Sequence, residues 1–116
     1  MTKLMAALLV MLGTTPIVAD LSGRWTLHLD PDFSGNPDTL YCTLKQSGDK
    51  LTMDCGDSPI SGEVKDQNVT FRFKAGDDGR TTATMSGVLN DAATTVTGKW
   101  HLDPDNRDGN FQLKRR

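Results

Sequence analysis

The sequence predicts an all-β protein: a single up-and-down antiparallel barrel of about eight short strands, with one hairpin disulfide. Three observations lead there. Beyond residue 20, apolar residues alternate with polar ones and show no helical period. Turn signals rich in Gly, Pro, Asp and Asn return about every 8–12 residues. The connections are short, so sequence neighbours should pair antiparallel, and a meander of this length closes most readily into a barrel that leaves no exposed edge.

The chain opens on a segment that reads as a signal peptide, residues 1–19. Lys3 supplies a positive start, Leu4 to Leu12 is a short apolar run, and Gly13 to Ala19 reads as a cleavage region with Ile17 where Ala is more usual. The run is short for a bilayer span, an uncleaved anchor being the other reading. No Cys follows the cut to carry a lipid. Cleavage would leave residues 20–116 as one barrel domain, and removing Lys3 moves the formal charge from −2 to −3. That balance excludes a nucleic-acid binder. The expected setting is secreted or periplasmic, with no membrane attachment after cleavage and a monomeric state.

In the first strand, Gly23 to Asp30, Trp25, Leu27 and Leu29 alternate with Arg24, Thr26 and His28. A Pro/Gly/Asp/Asn loop runs to Asp38. The next two strands form the hairpin that fixes the inside face. Around a Ser47-Gly48-Asp49-Lys50 turn, Gln46 faces Leu51, Leu44 faces Met53 and Cys42 faces Cys55, all on one side because side chains alternate. Opposed residues lie roughly 4.5–5.5 Å apart at Cα, within disulfide reach. Two cysteines in an exported chain read as one bridge, with two buried thiols as the other reading. After the Asp57-Ser58-Pro59 break, the inner rows are Ile60, Gly62 and Val64, then Val69, Phe71 and Phe73. The sixth strand is ambiguous: Thr81, Ala83, Met85 and Gly87 compete with Thr82, Thr84, Ser86 and Val88. The seventh carries Val96, Gly98, Trp100 and Leu102. Asp103 to Gly109 reads as a loop, and the eighth strand carries Phe111 and Leu113. With rows this large and apolar, the interior is expected to be mostly filled, with at most a shallow pocket.

Gly23-Arg24-Trp25 at the first strand and Lys114-Arg115-Arg116 at the last resemble the lipocalin and avidin group of calycin-type barrels. The resemblance implies that Trp25 plugs a closed end and that Arg115 or a neighbour packs on it. None of that group's ligand-contacting residues is present, so the architecture carries over and the ligand does not. Leu44-x-Gln46-x-Gly48-x-x-Leu51 also resembles small exported bacterial β-domains. An internal echo runs from Ser22-Gly23-Arg24-Trp25 and His28-Leu29-Asp30-Pro31-Asp32 to Thr97-Gly98-Lys99-Trp100 and His101-Leu102-Asp103-Pro104-Asp105. It reads equally as a weak repeat or as convergent strand-and-turn chemistry.

Catalysis finds little support. His28 and His101 both fall on the outer face, no Ser has a nucleophile-elbow context, and neither Cys reads as a free thiol. A two-carboxylate hydrolase rests only on abundant Asp, which turns also demand. The charge distribution says more. Loops following odd strands share one barrel end and hold Asp30, Asp32, Asp38, Asp54, Asp57, Asp77, Asp78, Asp103, Asp105 and Asp108, ten of the 15 acids. Arg24, Lys50, Lys65, Lys114, Arg115 and Arg116 gather at the other end. The acidic end is the open one by the resemblance. A cation- or ligand-binding rim of Asp30, Asp32, Ser34, Asp103, Asp105 and Asp108 is the functional reading; solubilising turn chemistry is the bland one. Asp30-Pro31-Asp32-Phe33-Ser34-Gly35 has the residue order of a calcium loop, but Tyr41 stands where an EF-hand-type loop has its bidentate Glu and Pro31 stiffens the turn. Calcium is therefore expected only weakly, in the roughly 10⁻⁴–10⁻³ M range, with no other cofactor. The sequence thus predicts an exported binding or accessory module, with a structural or protein-interaction module as the alternative.

Overall fold

The computed structural model describes residues 20–75 and 79–116. The signal-peptide reading and Asp77 and Asp78 fall outside them. The strands are β1 Gly23–Asp30, β2 Asp38–Ser47, β3 Lys50–Asp54, β4 Ile60–Lys65, β5 Asn68–Ala75, β6 Thr81–Leu89, β7 Thr95–Asp103 and β8 Arg107–Arg115. Each pairs antiparallel with the next, and β8 returns to β1, closing the barrel. This is the predicted all-β, up-and-down architecture, consistent with a calycin-like fold.

The hairpin register is the one read from the alternation: Gln46 opposes Leu51 and Leu44 opposes Met53, and two positions further on Cys42 is bonded to Cys55. The turn is tighter than the four residues expected. Ser47 and Lys50 already pair, leaving Gly48 and Asp49 as a two-residue loop. Gly48 makes this possible by taking φ 63°, which a tight hairpin requires at its first central position.

The ambiguity in β6 resolves in favour of Thr81, Ala83 and Met85. Ala83 and Met85 are buried and oppose the buried Leu102 and Trp100 of β7, whereas Ser86 and Val88 are exposed. The β7–β8 connection is much shorter than the expected loop. Asp108 and Gly109 belong to β8, leaving only Pro104, Asp105 and Asn106 between the strands. The polar run Arg107 to Asn110 disguised a strand because its inward position is a glycine. Gly109 opposes Trp100, and a Cβ there would lie 2.3 Å from the indole, so the ring occupies the space that a side chain would fill. A similar close approach joins Gly87 and Gly98, where a Cβ on Gly98 would meet the Ser86 carbonyl at 2.0 Å.

The interior rows bury Trp25, Leu27, Leu29, Leu44, Leu51, Met53, Phe71, Trp100, Phe111 and Leu113. Among the described residues no polar or charged side chain is buried. Among the described residues no helix is long and apolar enough to cross a membrane, and a disulfide is compatible with an oxidising, extracellular setting.

Candidate functional site

The two barrel ends are built from different chemistry. At one end β1 begins and β8 finishes. Trp25 is fully buried there, and its Nε1–H donates to the Leu21 carbonyl at 2.9 Å. The Arg115 guanidinium lies over the indole, 4.6 Å from the ring centre. It also donates to the Ser22, Asp20 and Ala93 carbonyls at 3.2, 3.0 and 3.3 Å. One cation thus ties the segment before β1 and the β6–β7 turn to the end strand. Gln46 completes the seal: its Oε1 accepts from Leu21 N–H at 2.8 Å, and its own N–H donates to Ser22 Oγ at 3.0 Å.

The opposite end is partly covered by the β1–β2 loop. Phe33 packs edge-on against Trp100 at 5.0 Å and against Phe73 at 6.1 Å. Trp100 Nε1–H donates to the Pro31 carbonyl at 2.8 Å, fixing the loop to the barrel wall. Asp32 knots the loop internally. Its Oδ1 accepts from Ser34 N–H at 2.9 Å, Ser34 Oγ at 2.7 Å and Asn36 N–H at 3.0 Å. The Ser34 hydroxyl, then the Asn36 N–H, hold the Asp32 carboxyl below the usual carboxylate range.

Beside this loop a cavity of about 690 Å³ enters the barrel. Its walls are Leu27, Leu29, Leu40, Met53, Ile60 and Met85, with Phe33 and Phe73 at the edge. Asp32, Ser34, Asp38, Asp57, Ser58 and Lys74 stand around the mouth. The interior behind the cavity is filled, as expected, since Leu27, Leu29, Met53 and Met85 are only 1–5 % exposed; the open space lies at the mouth, bordered by the half-buried Leu40, Ile60, Phe33 and Phe73, and is larger than the shallow pocket expected. Both tryptophans fill space elsewhere, Trp25 at the closed end and Trp100 beneath Phe33. On the cavity side β3 has only 5 residues, and the chain leaves the wall at Cys55–Pro59 before β4 starts. Medium-sized side chains remain, too few to fill the wide end.

The rim residues named from sequence divide into separate groups. Asp32 and Ser34, from the segment with the calcium-loop residue order, lie at the cavity and bond one another. Asp30 ends β1 on the exposed side, opposite Asn110, and Asp105 sits in the β7–β8 turn. Asp103 and Asp108 flank His101 on the outer surface, Asp103 accepting from or facing Nε2 at 3.0 Å and Asp108 facing Nδ1. Among the described residues no three His, Cys, Asp or Glu side chains gather in a metal-binding arrangement. The sequence reading missed the cavity because Leu40 and Ile60 look like ordinary core in an alternating pattern, as Leu27, Met53 and Met85 behind them are. The usable signal was the short β3 followed, after Cys55, by Gly, Asp, Ser and Pro.

His101 is held above its ordinary value of 6.5, first by Asp108 and then by Asp103. The stabilisation is therefore complete below about pH 6.5 and fades as pH rises through the raised value. An NMR titration should place His101 above an ordinary histidine, and Asp108→Asn should lower its midpoint. An unchanged midpoint in the variant would exclude the coupling.

No protein-family model matches the chain, and no curated protein is detectably similar to it, so the functional reading rests on the fold and the geometry of the two ends.

Proposed function

We propose that the protein is an exported binding module of the lipocalin- and avidin-like kind, taking a small molecule with an apolar body into the open end of its barrel. The cavity carries this reading: about 690 Å³ lies within the roughly 300–1,000 Å³ typical of small-molecule sites. Its apolar walls and few polar groups at the mouth are the usual composition of such sites. The sealed far end supports it too, since Trp25 under Arg115 makes a barrel with one entrance. Export is supported by the leader-like residues 1–19 and by the Cys42–Cys55 bridge. Both histidines are on the outer surface and neither lines the cavity, and a barrel of this kind is often a non-enzymatic fold.

The neutral fluorescent probe N-phenyl-1-naphthylamine should brighten on titration into the protein. Ile60→Trp, at a half-buried wall position, should fill the cavity and weaken binding by roughly tenfold or more, the scale of a lost apolar contact. Circular dichroism would verify that the variant is folded. No brightening with the parent protein would reject the reading, and equal binding by a folded variant would place the probe elsewhere.

A further inference from the structure

We propose that the cavity selects cationic amphiphiles, molecules with an apolar tail and a positively charged head. This rests on the cavity being a binding site. Two independent features set the ligand class. The first is the apolar lining of the site. No polar or charged side chain is buried among the described residues, and the walls are Leu, Met and Ile. A charged or strongly polar head would lose its hydration there without a partner, so only the apolar part of a ligand can enter. The head must remain at the mouth.

The second is the charge at the mouth. Asp32, Asp38 and Asp57 line it, against Lys74 as the cation in the lining. The Lys74 ammonium is drawn across the strand pair to Thr82 Oγ1 at 3.3 Å. Asp32 is locked in place by Ser34 and Asn36, so its charge is fixed in position. Asp30, Asp54 and Asp103 extend the same sign around this end and, with the mouth carboxylates, outnumber Arg80 and Arg107. At the sealed end Arg24, Lys50, Lys65, Lys114, Arg115 and Arg116 stand against Asp20, Asp49, Glu63, Asp66 and Asp91, so that end is close to balanced and the acidic excess is confined to the mouth. The barrel is thus polarised along its axis, and its field draws cations towards the entrance while repelling anions.

Decylammonium, decanol and decanoate share one apolar body and differ in head charge. Each would be used to displace N-phenyl-1-naphthylamine from the protein near pH 7 at low salt. Decylammonium should displace the probe at roughly one-tenth the concentration of decanoate, with decanol between them. About 0.5 M sodium chloride should draw the three together, because exposed charges are screened. Asp38→Asn with Asp57→Asn should do the same at low salt while leaving decanol unchanged. Equal displacement by all three, or a preference for decanoate, would overturn charge selection and leave the cavity reading standing. Preference retained in the double variant would overturn the assignment to these carboxylates. Absence of probe binding, or of displacement by any of the three, would remove the cavity reading and this proposal with it.

Discussion

Trp25→Ala is expected to destabilise the protein by about 3–5 kcal/mol, the range for truncating a fully buried aromatic. Small domains have total stabilities of about 5–15 kcal/mol, so this single change would consume a large fraction of the whole. Three losses combine. The indole leaves a cavity at the sealed end, where Leu21, Cys42 and Leu44 are also buried and have little freedom to collapse inwards. The Leu21 carbonyl loses its Nε1–H donor. The Arg115 guanidinium loses the ring beneath it, a contact worth about 0.5–2 kcal/mol, although its three carbonyl partners remain. Trp25→Phe separates these contributions, because it retains much of the apolar volume and a π-face but lacks the N–H donor; its cost should fall well below that of alanine. Urea unfolding of the three proteins, compared at equal slope, measures both differences. A cost for Trp25→Ala of less than about 1 kcal/mol would mean that the indole does not seal the barrel.

The parts of the fold that could be read in advance are those where alternation and turn chemistry agree. Leu44, Gln46, Leu51 and Met53 specify a register because a one-residue slip would turn every apolar side chain outwards. The β6 strand resisted because its threonines are tolerated on either face, and only the facing row of Leu102 and Trp100 decides between them. The strand at Arg107 to Asn110 was hidden because its inward residue is Gly109, whose pattern value is nil. What it accommodates is a side chain 9 residues earlier in the sequence, on the neighbouring strand. The echo between the two Gly-x-Trp segments behaves similarly. His28-Leu29-Asp30-Pro31 and His101-Leu102-Asp103-Pro104 end β1 and β7 at the same barrel end, yet Trp25 seals the far end and Trp100 supports the loop over the mouth. Strand-end chemistry is thus shared while the tryptophans serve opposite ends. The cavity was least visible of all. An empty volume is set by what several strands fail to fill together, and no residue in isolation records it.

Removing the bridge with Cys42→Ala and Cys55→Ala together is expected to cost about 2–4 kcal/mol and also to weaken probe binding at the mouth. The stability loss follows from the sequence separation of 13, a loop whose closure restricts the unfolded chain by roughly 3 kcal/mol in the chain-entropy account. The binding loss follows from where the bridge sits. Cys42 is buried in β2 opposite Trp25, while Cys55 is the first residue after β3 and lines the cavity. The bond therefore holds the start of the segment that supplies Asp57, Ser58 and Pro59 to the same mouth. With two alanines that segment retains its polypeptide connections to β3 and β4 but loses its covalent anchor to β2, so the mouth should become less well ordered. Intact mass of the unreduced parent should show the two-hydrogen deficit of the bridge. Urea unfolding and N-phenyl-1-naphthylamine titration of the parent, the reduced parent and the double variant then give the two effects separately. Lost stability with unchanged probe affinity would confine the bridge to stabilising the barrel. Unchanged stability would show that the paired alternating strands hold this hairpin without a covalent link.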